Sequence, residues 1–575
     1  MKPVVSGLVA FCVAVVAALI AGALQGGLTP ALAWAALGLG ALAGAAAWRS
    51  LRELPEARLP QGWLEWGMAT VFALFALRAF CWLVFIEAGD IKCLSPNNLG
   101  DLSLHLTYIR YLANGTPLWP TNPIFSAEPL HYPFGVDFFN ALLTAVNVPF
   151  IQGLVWVGLL GAAATGVMLW RWGGAFALAG FLFAGGIAGF QIFDTGLLAD
   201  YQDKVDWKSI PLALFITQRG LLYAFPVGLA LLWSWRARLL QGERGLPRWI
   251  EVLLYATLPL FHLHTFVFLS LLLGFWMLLP AFNGLPSPRR EGLRIGLAAF
   301  FPATALIWFL TGGFKNHSAI HFTNGWMSEA DAPLSFWFQN LGVLPVLVAL
   351  LLGWLWCRRK RPKTFALAVV VVPAVLLFRA ACFVMLATWE WDNNKLLVWC
   401  YLAILPALWA MLRECAPWIR AAVCLALFFS GAVSLLGGLD NTHTGHTLAD
   451  RTELEQLALP LRFLPITATF ACEPTYNHPL LLLGRKAVAG YEGHLSSHGI
   501  DYQARFADLE TLLRGEPGWQ TRARNLGVDY LFWGDREEEK YSGPQPWKTT
   551  VPVIAAGPWG TIYDLRGVRS NPAAP

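Results

Sequence analysis

Charge is what this sequence has least of. Only 13% of its 575 residues are Asp, Glu, Lys or Arg, where an ordinary soluble chain carries roughly 25%. The shortfall accompanies 56% hydrophobic residues, 28 Trp, 38 Phe and a mean hydropathy of +0.52. Together these exclude a soluble globular enzyme, a nucleic-acid binder and a disordered chain. Other absences narrow the field further. No Cys/His spacing resembles a zinc site. No Gly-rich phosphate loop appears. No clear internal repeat appears, although transporters often carry one. The nine Cys lie mostly in apolar runs, where they act as small apolar residues. Only Cys93 and Cys472 fall clearly on the expected outer side, and sequence leaves a disulfide and two free thiols equally open.

What the chain has instead is a series of apolar runs near 20 residues, long enough to cross about 30 Å of hydrocarbon. Thirteen spans are expected, at 4–24, 30–47, 64–86, 152–170, 173–192, 219–235, 249–262, 265–281, 293–310, 334–356, 364–386, 396–412 and 421–438. The pair around His262 and the segment after Pro211 have the look of broken or re-entrant helices. A second run follows the first almost at once, so the first is expected to stay as an anchor.

The few charges are sorted. Of the 77 charged residues, 29 lie in the last 137 positions. The expected domains are an N-terminal helix pair (1–60), a transmembrane catalytic region (61–438) and a soluble α/β domain (439–575). Basic residues cluster in four connections, around Arg49–Arg58, Arg236–Arg248, Arg289–Arg294 and Arg358–Lys363. The positive-inside rule puts these in the cytoplasm. The alternating connections 87–135, 193–211, 311–333 and 389–395 then face outward, with the C-terminal domain.

The segment 87–140 is too polar to span. Leu102, Leu106, Ile109 and Leu112 follow a helical period beside Asp101, His105 and Arg110, which predicts an amphipathic helix along the membrane surface. Asp101 at its start reads either as an N-cap or as a general base. Five prolines from Pro117 to Pro133 then fix an extended path.

The run GDLSLHLTYIRYLANG…PLWPTNPIFSAEPLHYPFGVDFF resembles the first outer loop of bacterial GT-C glycosyltransferases, membrane enzymes that use polyprenyl-phosphate sugars. Asp101 matches the acidic position of that loop. TQRGLLYAFPVGLALL (217–232), LPLFHLHTF (258–266), WEWDNNKLLVW (389–399), GHLSSHGIDYQAR and LGVDYLFWGDREEEKY resemble the same branch, so the likeness covers most of 64–565. The first two spans look like an addition to it. The resemblance implies a mainly α, polytopic helical membrane protein in a bacterial inner membrane. It would move a sugar from a polyprenyl-phosphate carrier to a glycan, lipid or protein acceptor on the outer face.

That reaction needs a carboxylate base near the acceptor hydroxyl and cationic or N–H donors around the leaving phosphate. Asp101 is the expected base, with Glu128 and Asp137 as alternatives. His105 and Tyr132 join the binding set from the same loop. Arg219 and Arg379 enter apolar segments, where a charge is costly and commonly functional. Lys395 begins a span beside Glu390 and Asp392, and either grips phosphate or closes a local salt bridge. His262 and His264 face different ways on a regular helix, so a metal pair needs a break between two short helices; hydrogen bonding to substrate is preferred, with a satisfied interior pair as the alternative. His317 and His321 read as solvated. Asp194, Asp200, Asp203 and Asp206 form an acidic loop in which one residue could hold a divalent metal; no cofactor is otherwise implied. Trp326, Trp337, Trp389, Trp391 and Trp399 suggest an interfacial belt first and sugar stacking second.

In the C-terminal part, 466–473, 528–534, 550–557 and 560–565 read as strands and 502–514 and 518–526 as helices. YEGHLSSHGIDY (491–502), with Tyr491, His494 and His498, reads either as a wall of the acceptor site or as a plain loop.

Overall fold

A computed structural model describes the chain except residues 53, 55–57, 96, 280–286, 315–319, 329–332, 441–444 and 571–575; at 203, 204, 333, 362, 569 and 570 it describes the backbone alone. Thr29 and Pro30 show how the apolar runs become helices. The Thr29 hydroxyl accepts from Leu32 N, and Pro30 presets the first turn of Pro30–Ser50. That helix packs against Lys2–Gln25 through two glycines. A Cβ on Gly40 would stand 2.5 Å from the Ala10 carbonyl, and one on Gly44 3.0 Å from the Ala10 Cβ. Such small-residue seams are how helices approach where lipid removes the hydrophobic drive.

Eight helices are long and apolar enough to cross a membrane among the described residues. They are Lys2–Gln25, Pro30–Ser50, Trp63–Cys81, Phe150–Phe183, Pro288–Leu310, Lys363–Ala381, Glu390–Leu412 and Pro417–Gly438. A ninth is formed if Leu334–Leu341 and Leu344–Cys357, bent by 96°, count as one span. Backbone breaks account for the difference from thirteen. The expected 152–170 and 173–192 join in one helix, Phe150–Phe183, kinked at Gly173 and Gly174. Leu221–Arg236, Arg248–Phe261 and Leu263–Met277 are shorter, with the last two divided at His262, whose backbone is extended.

The two ends of the bundle differ. Lys2 Nζ, at the start of the first helix, donates to Arg52 O. Arg248 pairs with Glu291, and Arg238 with Glu251 at 2.6 Å. Three of the basic connections therefore meet at this end. At the far end of the first helix, Gly27 packs on the Gly115 carbonyl of the polar loop. His131 of that loop meets Phe309 O at 3.0 Å, at the end of Pro288–Leu310.

The helix expected at 101–113 forms as Asn98–Ala113, but it does not lie open along a surface. Residues 102–109 are all buried, as are Tyr111 and Leu112. Helix Gly135–Ala145 packs along it, and the C-terminal segment covers a further part. The positive φ of Gly484 (+73°) brings that segment so close that a Cβ there would stand 2.5 Å from the Arg110 carbonyl carbon. Strand Asp90–Cys93 pairs antiparallel with His446–Asp450. Ala487 N donates to Pro123 O (2.9 Å) and Gly490 N to Ile124 O (2.8 Å), so the Pro-rich loop is stitched to it as well.

The C-terminal segment holds a five-stranded sheet, ordered Lys486–Ala487, Thr469–Ala471, Tyr530–Trp533, Gly560–Asp564, Val553–Gly557. The first three strands run parallel and Gly560–Asp564 joins antiparallel to both neighbours. Helices Gln503–Arg514 and Trp519–Leu526 lie where the sequence reads them. Behind the sheet, His478 Nε2 meets Glu537 Oε1 at 3.0 Å with both side chains fully buried. Cys93 and Cys472 are both free thiols and buried.

Candidate active site

A cavity of about 860 Å³ lies where the polar loop, three further connections and the C-terminal segment meet. Its lining includes Asp101, Tyr132, Trp391, Asp392, Lys395, Tyr491 and His498, seven of the residues singled out from sequence. They come from four separate stretches of chain, so no local pattern could have joined them.

Asp101 lies in the first turn of Asn98–Ala113, inside the helix whose N-cap is Asn97, so the capping role falls away. Burial raises its carboxyl above the ordinary carboxylate range. His105, Lys395 and a hydrogen bond with Thr217 pull the other way, and Asp392 adds to the rise. A carboxylate of raised basicity, open to a cavity, has the character of a general base.

Lys395 faces Asp101 from the WEWDNN turn and pairs with Asp392 at 2.9 Å. Three anchors hold that turn. Asn393 Nδ2 donates to Ala381 O (2.7 Å) and Val384 O (2.8 Å), while its Oδ1 accepts from Leu386 N. Trp391 Nε1 donates to Asp206 O at 2.9 Å, and Trp326 Nε1 to Glu390 O at 3.0 Å. The Trp389 and Trp391 rings lie 5.2 Å apart at 32°. Trp389 is exposed and Trp391 is buried on the cavity wall. Trp326 and Trp399 are fully buried, so these two serve the interior rather than a belt. Trp399 Nε1 donates to Thr265 Oγ1.

Behind Asp101 runs a buried chain. His105 Nδ1 meets Asp137 Oδ2 at 2.8 Å, and Asp137 Oδ1 lies 3.8 Å from Arg219 Nε. All three side chains are at most 3% exposed. The Arg219 nitrogens have no hydrogen-bond partner among the described residues. A Cβ on Gly220 would stand 2.3 Å from Phe261 O, so this turn presses directly on the break that carries His262. Asp137 thus serves as counter-ion within this chain and does not line the cavity; the expectation of it as an alternative base gives way to that placement.

Other expected residues lie elsewhere. Glu128 sits on the loop outside the cavity lining. His262 caps Leu263–Met277, with Nδ1 at 2.8 Å from Thr265 Oγ1. The Nε2 atoms of His262 and His264 have no partner among the described residues, and neither ring lines the cavity. Arg379 lies at a separate apolar cavity of about 240 Å³, over the Phe383 ring at 4.6 Å. Asp200 and Asp206 line the main cavity; Asp194 does not, and the Asp203 side chain lies outside the described residues. No group of three or more His, Cys, Asp or Glu gathers to hold a metal among the described residues. His317 lies outside the described residues, and His321 is 3.9 Å from Glu390.

No family model matches the chain, and no curated protein matches it. Among solved structures, the apo Archaeoglobus fulgidus oligosaccharyltransferase is 12% identical, covering 82% of this chain and 69% of its own, with a TM-score of 0.39. A. fulgidus AglB in complex with an inhibitory peptide and a dolichol-phosphate gives 12% identity, 87% and 74% coverage, and a TM-score of 0.39. The complex of the A. fulgidus enzyme with Zn and sulfate gives 12%, 81%, 67% and 0.36.

Several lining residues carried no individual signal in the sequence. Lys208, Gln218, Ser496 and Ser497 also face the cavity. Lys208 and Gln218 are polar residues with no pattern of their own, whereas Ser496 and Ser497 lie in YEGHLSSHGIDY, the stretch that reads either as a wall of the acceptor site or as a plain loop.

Proposed function

We propose that this chain is a GT-C-type glycosyltransferase that takes a sugar from a polyprenyl-phosphate donor on the outer face of a bacterial inner membrane. The observation that carries the reading is one cavity, at the end opposite the basic connections, that gathers a carboxyl of raised basicity, a lysine and a tryptophan pair. The acceptor hydroxyl oxygen attacks the anomeric carbon. Its proton passes to Asp101, and the bond between the anomeric carbon and the phosphate oxygen breaks with its electron pair on the phosphate. Attack opposite the leaving group inverts the centre. Lys395 balances charge on that phosphate, and the Trp389–Trp391 pair packs against the sugar.

The domain plan 1–60, 61–438 and 439–575 belongs to the same proposal, with the last domain outside. The resemblance of the 87–140 loop to GT-C enzymes supports it. Purified protein in nanodiscs, given polyprenyl-phosphate sugars and a panel of acceptors, should release polyprenyl phosphate and yield glycosylated acceptor. Absence of turnover with every donor would reject the reading.

A second reading is a transporter of lipid-linked glycans, which the buried Arg219–Asp137–His105 chain favours, since transporters hold charges within the bundle. Movement of a fluorescent lipid-linked sugar across vesicles without chemical change would select it.

A further inference from the structure

The cavity has two unlike walls. The side away from the C-terminal segment presents Asp101, Asp200, Asp206, Asp392, Lys208 and Lys395. The C-terminal side presents Tyr491, His494, Ser496, Ser497 and His498, with no carboxylate, lysine or arginine in its lining. Burial holds both imidazoles neutral, His494 down to about 3 and His498 to about 4. The walls stand close together. A Cβ on Gly100, the residue before Asp101, would lie 3.5 Å from His494 Nε2. The His498 ring centroid is 5.2 Å from that of Tyr132. Gly490 N bonded to Ile124 O and the bridge between Phe125 and Ala489 fix this approach.

We infer that the C-terminal wall binds the acceptor, and that the acceptor is an uncharged carbohydrate whose hydroxyl is delivered to Asp101. This rests on the glycosyl-transfer reading and names the acceptor class for it. A sugar presents several hydroxyls that each donate and accept. Serine hydroxyls and neutral imidazoles do both, so they match a polyol from either side. The exposed Tyr491 ring adds a face for sugar C–H groups. An acidic acceptor would meet no cation on this wall and four carboxyls against two lysines opposite. A protein hydroxyl would use only one of these groups. In the transfer, the sugar hydroxyl loses its proton to Asp101 while its oxygen bonds the anomeric carbon. The donor's bond to phosphate breaks, and its electron pair leaves on the phosphate.

The test is equilibrium binding by saturation-transfer NMR to the full chain in nanodiscs. The probes are methyl α-mannoside, methyl β-glucoside, methyl β-galactoside, glucosamine, glucose 6-phosphate and a Ser/Thr-containing peptide. At least one neutral glycoside should bind. Ser496→Ala/Ser497→Ala should weaken it at least tenfold, whereas Asp101→Asn should still bind it. His498→Gln, which keeps a neutral hydrogen-bonding group, should weaken it less than His498→Ala; this arm decides the question if the serine variant melts early. Binding of only the charged sugars or the peptide, or of no probe, overturns the assignment. So does glycoside affinity unmoved by the serine variant. Donor turnover without any glycoside binding leaves the transfer reading standing and removes this one. Glycoside binding at this wall without donor turnover does the reverse.

Discussion

Asp101→Asn separates chemistry from folding more cleanly than any other substitution in this protein. The change keeps size and shape and removes only the ability to take a proton. A positioned general base contributes about 10²–10⁴-fold in rate. At about 1.36 kcal/mol per tenfold, its loss raises the barrier by about 3–5 kcal/mol. The effect on stability has the opposite direction. Burial is the main cause of the raised Asp101 pKa, so the fold disfavours the ionised form. A carboxyl raised in the folded state weakens folding above its ordinary pKa, and that cost fades as pH falls. Asparagine carries no charge to bury, so the variant should melt at or above the wild-type temperature at neutral pH. The assay is single-turnover release of polyprenyl phosphate in nanodiscs, paired with thermal melting of the same preparations. Turnover within threefold of wild type refutes the base. A melting temperature several degrees lower refutes the assignment of Asp101 as a strained functional group. The wild-type pH profile adds a check: its acid limb should lie above the ordinary carboxylate range, since the raised group must be deprotonated to act.

Three further expectations follow from other parts of the molecule. Lys395→Met removes a charge-assisted contact worth about 1.5–3 kcal/mol, so donor half-saturation should rise about tenfold to a hundredfold in steady-state kinetics. His478→Ala leaves the buried Glu537 carboxylate with only its backbone donors from Glu473 and Gly534, and should cost about 3–5 kcal/mol in denaturant melts. For His478, burial opposes the charge, but contacts with Cys472 and Glu537 outweigh it and push the pKa up to about 10. Its stabilisation is therefore complete below the unfolded value of about 6.5 and fades as pH rises through about 10. Glu537 is lowered, so its share is present above the ordinary glutamate pKa and is lost in acid. The gap between wild type and variant should therefore narrow toward both extremes. Gly484→Ala places a Cβ at 2.5 Å from the Arg110 carbonyl carbon at a positive φ, and should cost about 1–3 kcal/mol and expose Asn98–Ala113 to faster hydrogen exchange.

Much of the architecture was legible before any coordinates. Runs of apolar residues and sorted arginines dictate a helical bundle with distinct ends, because hydrocarbon and water select residues by polarity alone. The β-rich runs at 528–534 and 560–565 and the helix at 502–514 form where local pattern put them. Span counting failed where the backbone breaks. A run across Gly173 and Gly174 reads as two spans, and Leu263–Met277 reads as one, because hydropathy does not register helix direction or length.

The site was legible as a set of residues and not as an assembly. Sequence named Asp101, Tyr132, Asp392, Lys395, Tyr491 and His498 because polar groups beside apolar runs stand out. It equally named Glu128, His262, His264 and Arg379, which the fold places outside the cavity. Only tertiary structure decides between them, since proximity across several hundred residues depends on how the C-terminal segment docks. The same docking covers part of the Asn98–Ala113 helix. Composition settled that the protein lives in a membrane with few charges to spend. The fold settled which of those charges meet, because burial and distance are properties of packing and not of order along the chain.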